Sequence, residues 1–194
     1  FAMVAHLVNT FFLLAAITLT GWWASGGREV RVRGSGAVGG LLGAGVLGVV
    51  AVGATGAVAA LGDTLFPAAS LAEGFRQDFS PTAHFLLRLR VLHPVLAVGV
   101  GAYLLVAGRI VARLRPSAAT RRLATLLAAL FAAQLGAGVL NVVLLVPIWM
   151  QLVHLLMADL VWISLVLLSA SALAEPVTGA QPARAVREET PALA

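Results

Sequence analysis

The chain has 194 residues, 60% hydrophobic and only 11% charged, with a mean hydropathy of +0.99. Soluble domains are about 25% charged, and eight acids with thirteen arginines (lysine is absent) cannot dress a water-soluble surface of this size. With no cysteine, the chain has no disulfide, thiolate metal centre, iron–sulfur cluster or cysteine nucleophile. The net charge of +5 is scattered between apolar runs and forms no single basic face, which points to membrane lipid as a partner and away from nucleic acid.

Five runs meet the requirement of about 20 apolar residues for a spanning helix. The first is uncharged over residues 1–27, too long for a signal-peptide core and without its basic leader. It opens with Phe1, so further polypeptide is expected upstream. The second covers residues 34–62 and carries Gly36, Gly39, Gly40, Gly43, Gly45, Gly48, Gly53 and Gly56. No Gly-Lys-Ser/Thr follows and no strand precedes, so these glycines read as close helix–helix contacts and not as a phosphate loop. The third run extends over 91–108, and Ser80-Pro81 predicts that its helix starts near residue 81, with Pro94 kinking it. The fourth spans about 123–146, Pro147 breaks the chain, and the fifth covers 148–174 with Asp159 inside it.

Arg28, Arg31 and Arg33 in the first loop, and Arg109, Arg113, Arg115, Arg121 and Arg122 in the third, orient these loops to the cytoplasm. The acidic second loop (Asp63, Glu73, Asp78) and the turn at Pro147 then face outward. The N-terminus of the chain is expected outside, and the tail 175–194 is expected to be cytoplasmic and disordered. Trp22, Trp23 and Trp149 read as interface anchors, and Trp162 as a deeper packing residue.

Three of the four histidines, His6, His93 and His154, fall near the outer starts of helices that run the same way. An ionisable side chain in a span is costly, so each marks a functional position. Imidazoles facing one another across an apolar bundle are what axial haem ligation requires. Zinc fits less well, because the carboxylates and thiolates that complete its sites are missing at this level. His84 reads as a solvated loop or interface residue. Arg90 shares a helical face with His93, and an arginine on the acidic side calls for a local anion. Haem propionates would supply one; Arg88 is a second candidate, or snorkels to headgroups. Asp159 either relays a proton or shapes the cofactor pocket, or it is a protonated acid bonded to Gln134 or Asn141 on the preceding helix.

Laying His6 over His154 aligns the apolar runs that follow and suggests a duplication. The second to fifth helices then make one four-helix unit (34–174) with His93 and His154 as its pair. The first helix (1–27) closes an earlier unit and leaves His6 without its partner.

The strings AHLVNTFFLLAAITLTGWW, GAVAALGDTLFP, RLRVLHPVLA and QLGAGVLNVVLLVPIWMQLVHLLMADL resemble the C-terminal portion of bacterial haem A synthase over nearly all of residues 1–173. That resemblance implies an all-α integral membrane bundle, five transmembrane helices out of the family's eight, in the bacterial cytoplasmic membrane. It implies haem b between His93 and His154, and His6 as one of two histidines around the substrate haem O, whose methyl group is oxidised to the formyl of haem A for terminal oxidases. Haem O synthase and a terminal oxidase are the implied partners. The chain departs from the pattern in lacking the first three helices, with the second substrate-site histidine and the assisting glutamate, and the outer-loop cysteine pair. It is therefore expected to be the electron-relay part of a longer enzyme, with the electron donor and the catalytic residue unassigned. Two other readings stay open: a non-catalytic bis-histidine cytochrome b subunit, and a transporter or scaffold with purely structural histidines.

Overall fold

The computed structural model describes residues 2–174, so the expected disordered tail 175–194 lies outside the described residues. Within them the chain is all-helical: α1 (Ala2–Ala24), α2 (Gly36–Leu65), α3 (Leu71–Asp78), α4 (Phe85–Leu114), α5 (Ala118–Val143) and α6 (Ile148–Ala174). Every helix but α3 is long and apolar enough to cross a membrane.

The most extensive partnerships are α2 with α4 and α5 with α6. Contacts of α4 with α5 and of α2 with α6 close these into a four-helix ring. Leu42, Val49, Leu104, Val111, Leu127, Phe131, Leu165 and Leu168 fill its centre. Helix α1 lies outside, across the seam of α2 and α6. The indole N–H of Trp162 donates to the Phe11 carbonyl at 2.7 Å, and the two rings stack 4.8 Å apart. Gly53 admits Leu7 and Phe11 so closely that a Cβ there would collide with both. At the far end the Arg31 N–H reaches the Leu173 carbonyl, so α1 and α6 run parallel.

Two sequence expectations fail in the 63–84 connection. A short helix, α3, occupies what reads as loop, although its signal is present. Ser70 accepts from the Glu73 N–H while the Glu73 carboxylate accepts from the Ala69 N–H, a variant of the Ser-x-x-Glu capping box. Its Leu71, Phe75 and Phe79 stripe is exposed, whereas Glu73, Gln77 and Asp78 turn inward, the reverse of a helix on a soluble core. Helix α4 starts at Phe85 and not near residue 81, because Ser80 Oγ binds the Thr82 N–H and hydroxyl and so closes a turn. His84 caps α4 instead, accepting from the Leu86 N–H at 3.3 Å between the rings of Phe66 and Phe85.

The turn before Pro147 holds Leu145 and Val146 at φ +60° and +56°. Left-handed backbone costs a residue with a Cβ about 1–2 kcal/mol. Leu145→Gly is expected to stabilise the chain by about 1 kcal/mol, visible as a higher unfolding temperature in detergent. No gain would mean that the Leu145 side chain contributes as much through packing as its backbone costs.

Candidate functional site

The structure brings His93 on α4 and His154 on α6 face to face. Their ring centroids lie 6.4 Å apart, with planes at 85°. The surroundings repeat across the bundle. Each imidazole rests on a glycine of the neighbouring helix: a Cβ on Gly56 of α2 would sit 3.0 Å from His93 Cε1, and one on Gly138 of α5 would sit 3.1 Å from His154 Cε1. Val52, Gly56 and Asp63 recur at spacings of four and seven along one face of α2, and Gln134, Gly138 and Asn141 at four and three along α5. Each helix next to a histidine thus presents it with a stripe of small and polar groups.

His93 Nδ1 lies 3.2 Å from the Val52 carbonyl and 3.3 Å from the Thr55 hydroxyl. The carbonyl only accepts, and the Thr55 hydroxyl already donates to it at 2.9 Å. The proton therefore sits on Nδ1, and Nε2 keeps a free lone pair, as in a metal-ligating histidine held by an outer carbonyl. At His154 the Gln134 amide nitrogen lies 3.3 Å from Nε2 and donates to its lone pair. This leaves His154 Nδ1 and Gln134 Oε1 buried without partners. A metal would compete with that amide for the same lone pair. Among the described residues no three His, Asp or Glu side chains converge, so the pair stands alone.

One turn toward the α3 end, the structure supplies Arg90 with its anion from the protein itself. Arg90 donates to Asp63 at 2.7 Å and to Asp78 at 2.5 Å (Nη2) and 2.9 Å (Nε), tying α2, α3 and α4 together. Two carboxylates thus share the guanidinium that the sequence reading gives to a haem propionate, and two of its five N–H groups stay uncommitted. Arg88 is turned onto the Pro81 carbonyl at 2.7 Å. His6 is exposed on α1 and does not join the pair. It does lie at similar depth: five residues before Phe11, whereas His154 lies eight before Trp162, an offset of roughly 4–5 Å along parallel helices. Asp159 bonds neither Gln134 nor Asn141. Its Oδ1 and Asn141 Oδ1 are both buried without partners.

Sequence reasoning does not single out Val52, Thr55, Asp63 or Asp78 for this site. The spacing of Gly56 and Asp63 on one face of an antiparallel neighbour is the available signal for Asp63. Nothing local marks Thr55.

With a facing histidine pair inside a four-helix membrane ring, comparison with known proteins decides the family. The model of the cytochrome oxidase assembly protein family (COX15-CtaA) matches residues 1–166. The chain belongs to this family, that of haem A synthase. Among curated proteins it is similar to the protoheme IX farnesyltransferases of two strains of Thermus thermophilus, 56% identical over 170 residues in one strain and 55% over the same length in the other. The match covers 88% of this chain but only 28% of each relative, so the chain spans little more than a quarter of their length. No solved structure matches it.

Proposed function

We propose that the chain is the haem b-bearing, electron-relay part of a haem A synthase, the enzyme that oxidises a methyl group of haem O to the formyl of haem A. The facing pair of His93 and His154 carries the reading. At a centroid separation of 6.4 Å the two imidazoles could hold a single haem iron between them. The donor set fits in other respects too. Two neutral imidazoles suit haem iron, Nε2 of His93 is free, and Nε2 of His154 would become free once the Gln134 amide turned away.

Haem b held there would supply one-electron transfer. The chain's own residues have definable tasks. The Val52 carbonyl and Thr55 orient His93, while Gly56 and Gly138 leave room for the rings. Arg90, with two of its five N–H groups uncommitted, is the proposed contact for a propionate. His6 is proposed as a ligand on the substrate side, completed by helices outside this chain, with its N-terminal end on the outer face of a bacterial cytoplasmic membrane. The relatives' name denotes farnesyl transfer to protohaem IX. That reaction makes haem O, which supports haem O synthase as a working partner with a terminal oxidase downstream. Transferase chemistry itself is not carried over from proteins of which this region is 28%.

The test is a reduced-minus-oxidised visible spectrum of the purified chain. A sharp low-spin b-type signal is expected, and a folded, helical but colourless protein would overturn haem binding by this chain. Co-expression with the upstream helices, scored for haem A, separates the synthase from a plain cytochrome b subunit. Within the site, Gly138→Ala is expected to displace the His154 ring and lower haem content about tenfold. Gly136→Ala, whose Cβ meets nothing within 4 Å, should leave it unchanged.

A further inference from the structure

At the opposite end of the bundle, away from the histidine pair, a cleft of roughly 500 Å³ opens between the start of α2 and the end of α4. It is lined by Ser35, Ala37, Val38, Arg113, Leu114 and Arg115, with Pro116 at its edge, and none of these carries a carboxylate. Arg115 is only 6% exposed, yet its guanidinium makes no hydrogen bond or ion pair with the described residues, and its Nε is buried without a partner. A largely buried, permanently charged group that meets no counter-charge among the described residues is a costly feature for a fold to carry. The Arg90 network at the other end shows how this same chain neutralises an arginine when the protein supplies the anion.

The second wall of the cleft points to the same missing charge. Helix α2 begins here and runs for 30 residues, and Ser35, its N-cap residue, makes no side-chain cap hydrogen bond. The Ser35 hydroxyl is instead turned back onto the Val32 carbonyl at 2.6 Å. The first N–H groups of α2 are therefore open to an acceptor, with the positive end of the helix dipole behind them. Arg113, exposed at the rim, adds a second cation.

We propose that this cleft is a binding site for a phosphate group, held by the Arg115 guanidinium and the first backbone N–H groups of α2 with Arg113 at the rim. A guanidinium and a helix N-terminus lining one cleft suit the several oxygens of a phosphate better than a lone carboxylate, because they supply donors from two walls. Both walls are ends of spanning helices, so the site lies at membrane-interface depth. The phosphate can come from the headgroup of an anionic phospholipid or from free phosphate in solution.

The experiment uses the full chain, delipidated in mild detergent, and follows thermal unfolding during titration with phosphatidylglycerol in one arm and inorganic phosphate in the other. Binding raises the unfolding temperature by roughly 5–10 °C at a hundredfold excess over the dissociation constant. A rise with phosphatidylglycerol alone identifies a lipid headgroup, and a rise with inorganic phosphate at millimolar concentration identifies the free anion. A rise in neither arm overturns the proposal. Arg115→Gln removes the shift. Should that variant fail to fold, Ser35→Asp serves in its place, since a carboxylate there caps α2 while occupying and repelling the anion position. A full shift retained in Ser35→Asp would also overturn the proposal.

Discussion

His93→Ala or His154→Ala is expected to abolish the low-spin b-type spectrum proposed for the purified chain, with haem content falling by more than the roughly 10–100-fold that loss of an outer-shell partner costs a metal site. The two imidazoles rest alike on a glycine of the neighbouring helix but are held through different ring nitrogens. His93 is held by α2 through Nδ1, whereas His154 is met by Gln134 of α5 at Nε2. If both imidazoles hold the haem as proposed, the loss of either would convert or empty the site. Thr55→Val should be much milder, because the Val52 carbonyl still accepts from Nδ1. If one alanine variant keeps the full spectrum, the ligand on that side is another residue and the pair is structural.

Arg90→Gln is expected to destabilise the chain by about 3–5 kcal/mol, the usual cost of removing one partner from a buried charge network. The side chains of Arg90, Asp63 and Asp78 are 14%, 20% and 17% exposed, so little solvent is at hand to screen what is left. The variant would leave two carboxylates facing one another where α2, α3 and α4 meet. Adding Asp63→Asn and Asp78→Asn to Arg90→Gln should recover most of the loss, because the repulsion and its desolvation cost disappear together. The measurement is unfolding temperature in detergent for the single and triple variants. Equal destabilisation in both would show that the arginine stabilises by packing its stem and not by neutralising charge. Arg90 also sits one turn from His93, so the single variant should loosen α3 and weaken haem retention together.

Much of this is legible from residue order. The solvent for a chain this apolar is set by composition, and the spanning runs follow from the length a helix needs to cross hydrocarbon. Trp162, a deep packing residue by its position in the last run, stacks against Phe11. The connection 63–84 misleads because its signals are local and compete. Ser-Pro is a strong helix start in isolation, yet a Ser80–Thr82 turn displaces it, and a capping box at Ser70–Glu73 makes a helix where charge suggests only a loop.

Sequence alone determined that the chain is a helical membrane bundle, that His93 and His154 lie at matching levels, and which family it belongs to, because hydropathy, helical period and motif strings are properties of residue order. Only the tertiary structure decided what each polar group meets. It gave Arg90 two aspartates, set the imidazoles over Gly56 and Gly138, kept His6 on an exposed face, and left Arg115 buried beside an uncapped helix start. Those pairings join residues up to tens of positions apart, and inside a bilayer their partners are chosen by helix packing and by the cost of an unsatisfied polar group.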